Sequence, residues 1–205
     1  LVWQRVSWYE DPSEVPLRFW QATHDHAKEW VVLSRVPRMG DDATPQLPRP
    51  QGMTHDTRES WLKHAAQLLT EHALTPAGYA PGEYRVSCGW PARGALAVSK
   101  RRVGECWPGE VNKDKQSHLF ISPVLDNASE VVAVLLHELL HASLPAKAKH
   151  GKTFAKAAVK CGLEGKPTSS VAGQVLAERI NAEMLPLLGT YPHSAIDATL
   201  RPKQK

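Results

Sequence analysis

The sequence predicts an α+β fold. From residue 53 onward one helical pattern is followed by three or four strand-like runs and then by further helices, an order that fits segregated elements rather than alternating strand–helix units. The strand-like runs are short and alternate apolar with polar residues, as in a sheet with one covered face. A hydrophobic content of 42% over 205 residues is enough for one sizeable core plus an appendage. No apolar run approaches the ~18 residues of a membrane span; VVAVLL at 131–136 is the nearest, so no membrane partner is expected.

Residues 1–34 form an arm rich in tryptophan (Trp3, Trp8, Trp20 and Trp30). LVWQRVSWY is strand-like. Apolar positions at Leu17, Trp20, Ala27, Trp30 and Val31 predict a helix over 17–31. His24 and His26 make an HxH pair that would share one face of a strand; a solvated polar turn, HDHAK, is the competing reading. The opening LVWQRVSWYE lacks the basic start, apolar middle and small-residue cleavage site of a signal peptide. Residues 35–52, with four prolines and no periodicity, read as a linker, 53–195 as the main domain and 196–205 as a tail.

In the main domain, MTHDTRESWLKHAAQLLTEHAL (53–74) predicts a helix capped by Thr54 or Asp56, with Trp61, Leu62, Ala65, Leu68, Leu69 and Ala73 on its inner face. EYRVSCGW (83–90) predicts a half-buried strand, and ALAVSKRRVGECW (95–107) one bent strand or a hairpin. HLFISPVL (118–125) predicts a strand ended by Pro123. Asn127 and Glu130 form a capping box, so the next helix starts there and stops before Pro145. KTFAKAAVKCGL (152–163) predicts a second helix closed by Gly162, and Ser170 to Leu188 a third.

The capped helix holds the most informative stretch, VVAVLLHELLHA (131–142). His137 and His141 are four apart, so both imidazoles leave the same side of a helix and can reach one tetrahedral Zn²⁺. Glu138 projects toward the position such a site leaves open, where it can take a proton from an activated water. The bland alternative, core histidines with local hydrogen bonds, would bury three titratable groups on two turns at considerable cost. A third ligand is required. Leu144 and Lys147 stand where a metzincin needs Gly and His. Glu164 is the thermolysin-like candidate, and His150, in KHGKTF after the Pro145 turn, is the favoured one.

HELLHA followed by HGKTFAKAAVKCGL resembles the SprT-like family of zinc metallopeptidases, to which Spartan belongs. The matching positions are His137, Glu138, His141, His150, Gly151 and Phe154. RVSCGWP, RRVGECW and HLFISP upstream, with GLEGK and YPH downstream, resemble the phage and prophage branch, and the likeness spans about 53–195. The resemblance implies a small zincin-like domain, a mixed sheet packed on the HExxH helix, and zinc endopeptidase activity. It gives His137, His141 and His150 to one catalytic zinc and makes Glu138 general base, then proton donor. It also implies a protein or peptide substrate, a candidate association with nucleic acid or DNA-bound protein, and a bacterial or phage-infected host cytoplasm. Many relatives carry a cysteine zinc ribbon after the protease domain; residues 162–205 hold no cysteine, so no ribbon is expected within this sequence.

Tyr191 and His193, in TYPHSA, are candidate transition-state stabilisers, with packing or exposure as the alternative. HLFISP is a candidate edge for an extended substrate. Cys88, Cys106 and Cys161, odd in number and outside any CxxC, read as small core residues in a reducing cytoplasm, and Trp90 and Trp107 as core packing. Lys152, Lys156 and Lys160 form one helical stripe, and Lys100, Arg101 and Arg102 a second basic cluster. With a net charge of +4, this is either a solvated face or a track for nucleic acid. The other functional class is a zinc-containing nucleic-acid-associated binding module without proteolysis. Glu138 argues against it, because a structural zinc does not require that carboxylate.

Overall fold

The computed structural model describes residues 2–6, 19–24, 27–31, 55–97 and 99–199. The chain divides into two compact units, Leu1–Gln46 and Leu47–Lys205. The first is an antiparallel sheet of β1 (Val2–Val6), β2 (Phe19–His24) and β3 (Ala27–Val31), in that order. The helix expected over 17–31 is therefore a hairpin, with Trp20 opposite Val31 and His24 opposite Ala27. Phe, Trp, Thr and Val suit a pleated surface, and that preference outweighs the loose helical spacing. His26, the linker at 35–52 and most of the tail lie outside the described residues.

The second unit opens with α1 (Arg58–Leu69), prolonged by a π turn over Thr70–Leu74. Its cap is Thr57, whose hydroxyl accepts from the Ser60 amide at 3.1 Å, rather than Asp56; Thr54 lies outside the described residues. Trp61, Leu62, Ala65, Ala66, Leu68 and Leu69 are all buried along one face.

β4 (Tyr84–Cys88), β5 (Gly104–Trp107) and β6 (Ser117–Ile121) form a mixed sheet in the order β4-β6-β5. β6 runs parallel to β4 and antiparallel to β5, with Leu119 opposite both Val86 and Cys106. The strand in HLFISP is thus the centre of the sheet and not the expected edge; β5 is an edge and lies beside the helix at 128–143. The long strand or hairpin expected over 95–107 shrinks to β5. Gly94 at φ 70 and Lys100 at φ 51 turn the chain, and the Arg102 amide closes the loop on the Gly94 carbonyl at 3.2 Å. Trp90 and Trp107 are each 42% exposed, so neither is the core residue expected.

α2 (Ala128–Ser143) starts at Asn127, whose side chain accepts from the Glu130 amide at 3.0 Å. It ends as Leu144 goes extended ahead of Pro145, the conformation a following proline imposes. α2 packs against β5, β6, α1, a third helix α3 (Lys152–Lys160) and strand β8 (Ser169–Ala172). That enclosure buries Val131, Val132, Leu135, Leu136, Leu139 and Leu140 completely, worth roughly 1.5–3 kcal/mol for each side chain.

The helix expected from Ser170 begins only at Gln174. Before it β7 (Leu163–Lys166) pairs antiparallel with β8, Glu164 opposite Val171. Residues 170–172 are taken up in that pairing, and Gly173, extended at ψ 166, caps the helix that follows. α4 (Gln174–Arg179), a π turn over Ile180–Met184 and α5 (Leu185–Leu188) then close the core with Leu176, Ile180, Met184 and Leu188. No helix among the described residues is long and apolar enough to cross a membrane.

Candidate metal centre

His137 and His141 lie one turn apart on α2, and their Nε2 atoms are 3.2 Å from each other. His150 Nε2 stands 3.1 Å from both. The return path is short. Pro145 stops α2, a 3-10 turn covers Ala146–Ala148, and Lys149, at φ 42, swings the chain back so that His150 faces α2. Gly151 then caps α3, and its first turn delivers Phe154, which is fully buried beneath all three imidazoles. The ring centroids lie 4.8, 4.3 and 5.1 Å from His137, His141 and His150, with His141 stacked nearly parallel. Phe154 therefore serves as an apolar floor that fixes three ring planes.

The three nitrogens fit a metal ion. Nitrogens about 2.05 Å from a tetrahedral Zn²⁺ lie roughly 3.3 Å apart, close to the spacing here, and the three residues form a group able to hold an ion. Hydrogen bonding alone explains the convergence poorly, since a neutral imidazole has one N–H and cannot serve two partners at once. The Ser170 hydroxyl on β8 lies 2.8 Å from His137 Nδ1. With Nδ1–H donating to that oxygen, the Nε2 lone pair is left facing the other two rings. Burial, and then the neighbouring imidazoles, hold His137 down to about 4 and His141 to about 3, and burial followed by Arg102 lowers His150. All three are neutral near pH 7, the state a metal ligand requires.

Glu138 is 5% exposed at the floor of the same cleft, and its carboxylate makes no hydrogen bond to protein among the described residues. Burial, with the nearby Glu105 charge, pushes it up to about 8, while Arg102 draws it down. The cleft holds about 570 Å³ and is walled by residues 101–106 leading into and along β5, by the three histidines, by Lys149 and by Thr168, Ser169 and Ser170. Cys106 faces it with a thiol pushed up to about 12 by burial and then by Glu138 and Glu105.

Of the residues singled out in the sequence, His137, Glu138, His141 and His150 meet in this cleft. Glu164 does not line it: it is exposed on β7, against Gly173. Tyr191 lies elsewhere in the core, edge-on to Trp61 at 4.8 Å, with Arg58 5.0 Å over its ring. His193, at φ 64, offers its carbonyl to Arg58 at 3.4 Å. Neither lines the cleft. Lys152, Lys156 and Lys160 are exposed on α3, and Lys160 stands 5.9 Å over the Tyr79 ring. Ser170, Gly104 and Arg102 are the contributors that sequence reasoning missed as site residues. Only Arg102 had a signal, as part of a basic cluster. No family model, curated protein or solved structure matches the chain.

Proposed function

We propose that the chain is a zinc-dependent metalloendopeptidase of zincin-like, SprT-like type, acting on protein or peptide substrates. The observation that carries this reading is the convergence of three imidazole nitrogens beside a buried carboxyl that makes no hydrogen bond to protein among the described residues. A zinc ion held by His137, His141 and His150 would supply Lewis acidity, activating water and polarising the scissile carbonyl. Glu138 takes the proton of the attacking water and passes it to the leaving amine. Buried at the cleft floor with no competing hydrogen bond to protein among the described residues, its carboxyl is placed for both halves of that transfer. Phe154 and Ser170 keep the ligand rings in place. The β5 edge, and not β6, offers backbone groups for pairing with an extended substrate. The exposed Lys152–Lys156–Lys160 stripe supports association with nucleic acid through charge alone, and salt-sensitive DNA binding tests it.

The decisive experiment compares wild type with Glu138→Gln. The variant retains stoichiometric zinc and its fold, while cleavage of unfolded protein drops by about 100-fold or more. His150→Ala weakens zinc binding far more than Glu164→Ala. Wild-type cleavage by Glu138→Gln, or zinc lost only in Glu164→Ala, overturns the assignment.

A further inference from the structure

The cleft carries a cation held in place by a dedicated support. Glu105, on β5, uses Oε1 to accept from Arg102 Nη1 at 2.7 Å. Its Oε2 accepts from the Ala92 amide at 2.7 Å and from Trp107 Nε1 at 3.2 Å. Both carboxylate oxygens are thus committed, and the Glu105 side chain is only 13% exposed. The Arg102 side chain is 51% exposed, and its Nε and Nη2 make no hydrogen bond to protein among the described residues. The backbone beneath it is pinned as well, through the Arg102 amide and the Gly94 carbonyl. A surface arginine that served only solubility would not need a carboxylate with three donors to aim it.

Two further cations, Arg101 and Lys149, line the same cleft, and neither forms an ion pair among the described residues. The acids in the wall are Glu105, already bonded to Arg102, and Glu138 at the floor. With Glu105 committed to Arg102, the cations outnumber the acids in the wall, and an excess of one sign of charge in a cleft concentrates ligands of the other. The free edge of a guanidinium presents paired N–H groups that match a carboxylate.

Resting on the peptidase reading, we infer that the cleft selects substrates with an acidic side chain next to the scissile bond, bound by the free edge of Arg102 with Arg101 and Lys149 around it. Arg102 is then a specificity residue, oriented by Glu105, which acts as a positioning residue.

The test uses the zinc-loaded full chain and peptide pairs that differ only in Glu against Gln, scanned across the positions flanking the cleaved bond. At one or two positions Glu raises kcat/KM by about tenfold or more, chiefly through KM, and the advantage shrinks with added salt. In Arg102→Gln the Glu-to-Gln ratio falls to about one, and Arg102→Lys restores part of it. Glu105→Gln lowers the ratio with a smaller effect on the Gln peptides. A ratio near one in the wild type, or a loss in Arg102→Gln that is equal for all peptides and confined to kcat, overturns the inference. If no peptide is cleaved, the peptidase reading falls, and binding decides the inference separately. On zinc-loaded Glu138→Gln, labelled Glu peptides bind tighter than their Gln partners if it holds, and equally if it fails.

Discussion

Gly104 on β5 faces Glu138 on α2 with no room for a side chain between them: a Cβ there would overlap the Glu138 Oε1 and stand 2.8 Å from Val134 Cγ1. The absent side chain lets α2 press the Glu138 carboxyl against the edge strand. Gly104→Ala should therefore displace the Glu138 carboxyl and leave the three histidine rings, which pack on Phe154, in place. We expect a stability loss of about 1–3 kcal/mol from overpacking, near-normal zinc content and a large drop in kcat. Zinc titration and peptide kinetics on one preparation check this, and full activity in the alanine variant would show that Glu138 has slack.

Ser170→Ala removes the acceptor for His137 Nδ1. Partners of this kind are typically worth 10–100-fold in metal affinity, and the same range is expected here from chelator competition. Threonine at 170 should restore most of it. Substituting Co²⁺ for zinc gives a second readout, because a reoriented His137 alters the visible bands even when the metal stays bound.

The local half of the site was legible in the sequence and the remote half was not. His137, Glu138 and His141 follow from one helical period and a cap that Asn127 supplies, and His150, nine residues after His141, follows from the break at Pro145. Ser170 reaches His137 across 33 residues, on a strand whose sequence, SSVA, carries no hydrophobic alternation and sat inside a longer helical pattern. The order β4-β6-β5 was equally hidden, since a parallel neighbour separated by an intervening strand leaves no sequence period. Tyr191 drew notice as a polar ring near the end of the fold, yet its burial serves packing against Trp61.

Arg58 ties the segment after α5 to the start of α1. It is 6% exposed and donates to the carbonyls of Pro192 at 3.0 Å, Pro123 at 3.2 Å and Ser194 at 2.8 Å, with no carboxylate partner. Arg58→Met should cost about 2–4 kcal/mol, because buried carbonyls lose their donors. Arg58→Lys should recover little, since an ammonium cannot span the same fork. Denaturant melts measure the loss. Limited proteolysis should cut first in residues 189–199, while zinc affinity of the folded protein stays unchanged.

Chelator-treated protein should be most stable near pH 6.5, for reasons that can be worked out group by group. His137 and His141 sit at about 4 and about 3 when folded, against the usual 6.5 of a free imidazole, with burial the main cause. Between these limits the unfolded chain binds more protons, so their contribution is complete above 6.5 and is lost as pH falls toward 4. Lowered values at His150, His64 and His118 act in the same direction. Glu138 runs the other way: held at about 8 against 4.5, again by burial, it keeps a proton the unfolded chain has released. Its contribution is complete below 4.5 and is lost as pH rises through 8. Acidification from 8 to 6.5 therefore stabilises through Glu138, and from 6.5 to 4.5 the histidines outnumber it and stability falls. Thermal melts in chelator across pH 5 to 8.5 should trace that maximum. Glu138→Gln should flatten the alkaline side and the double variant His137→Gln/His141→Gln the acid side. An alkaline decline that survives in Glu138→Gln would assign it to another group.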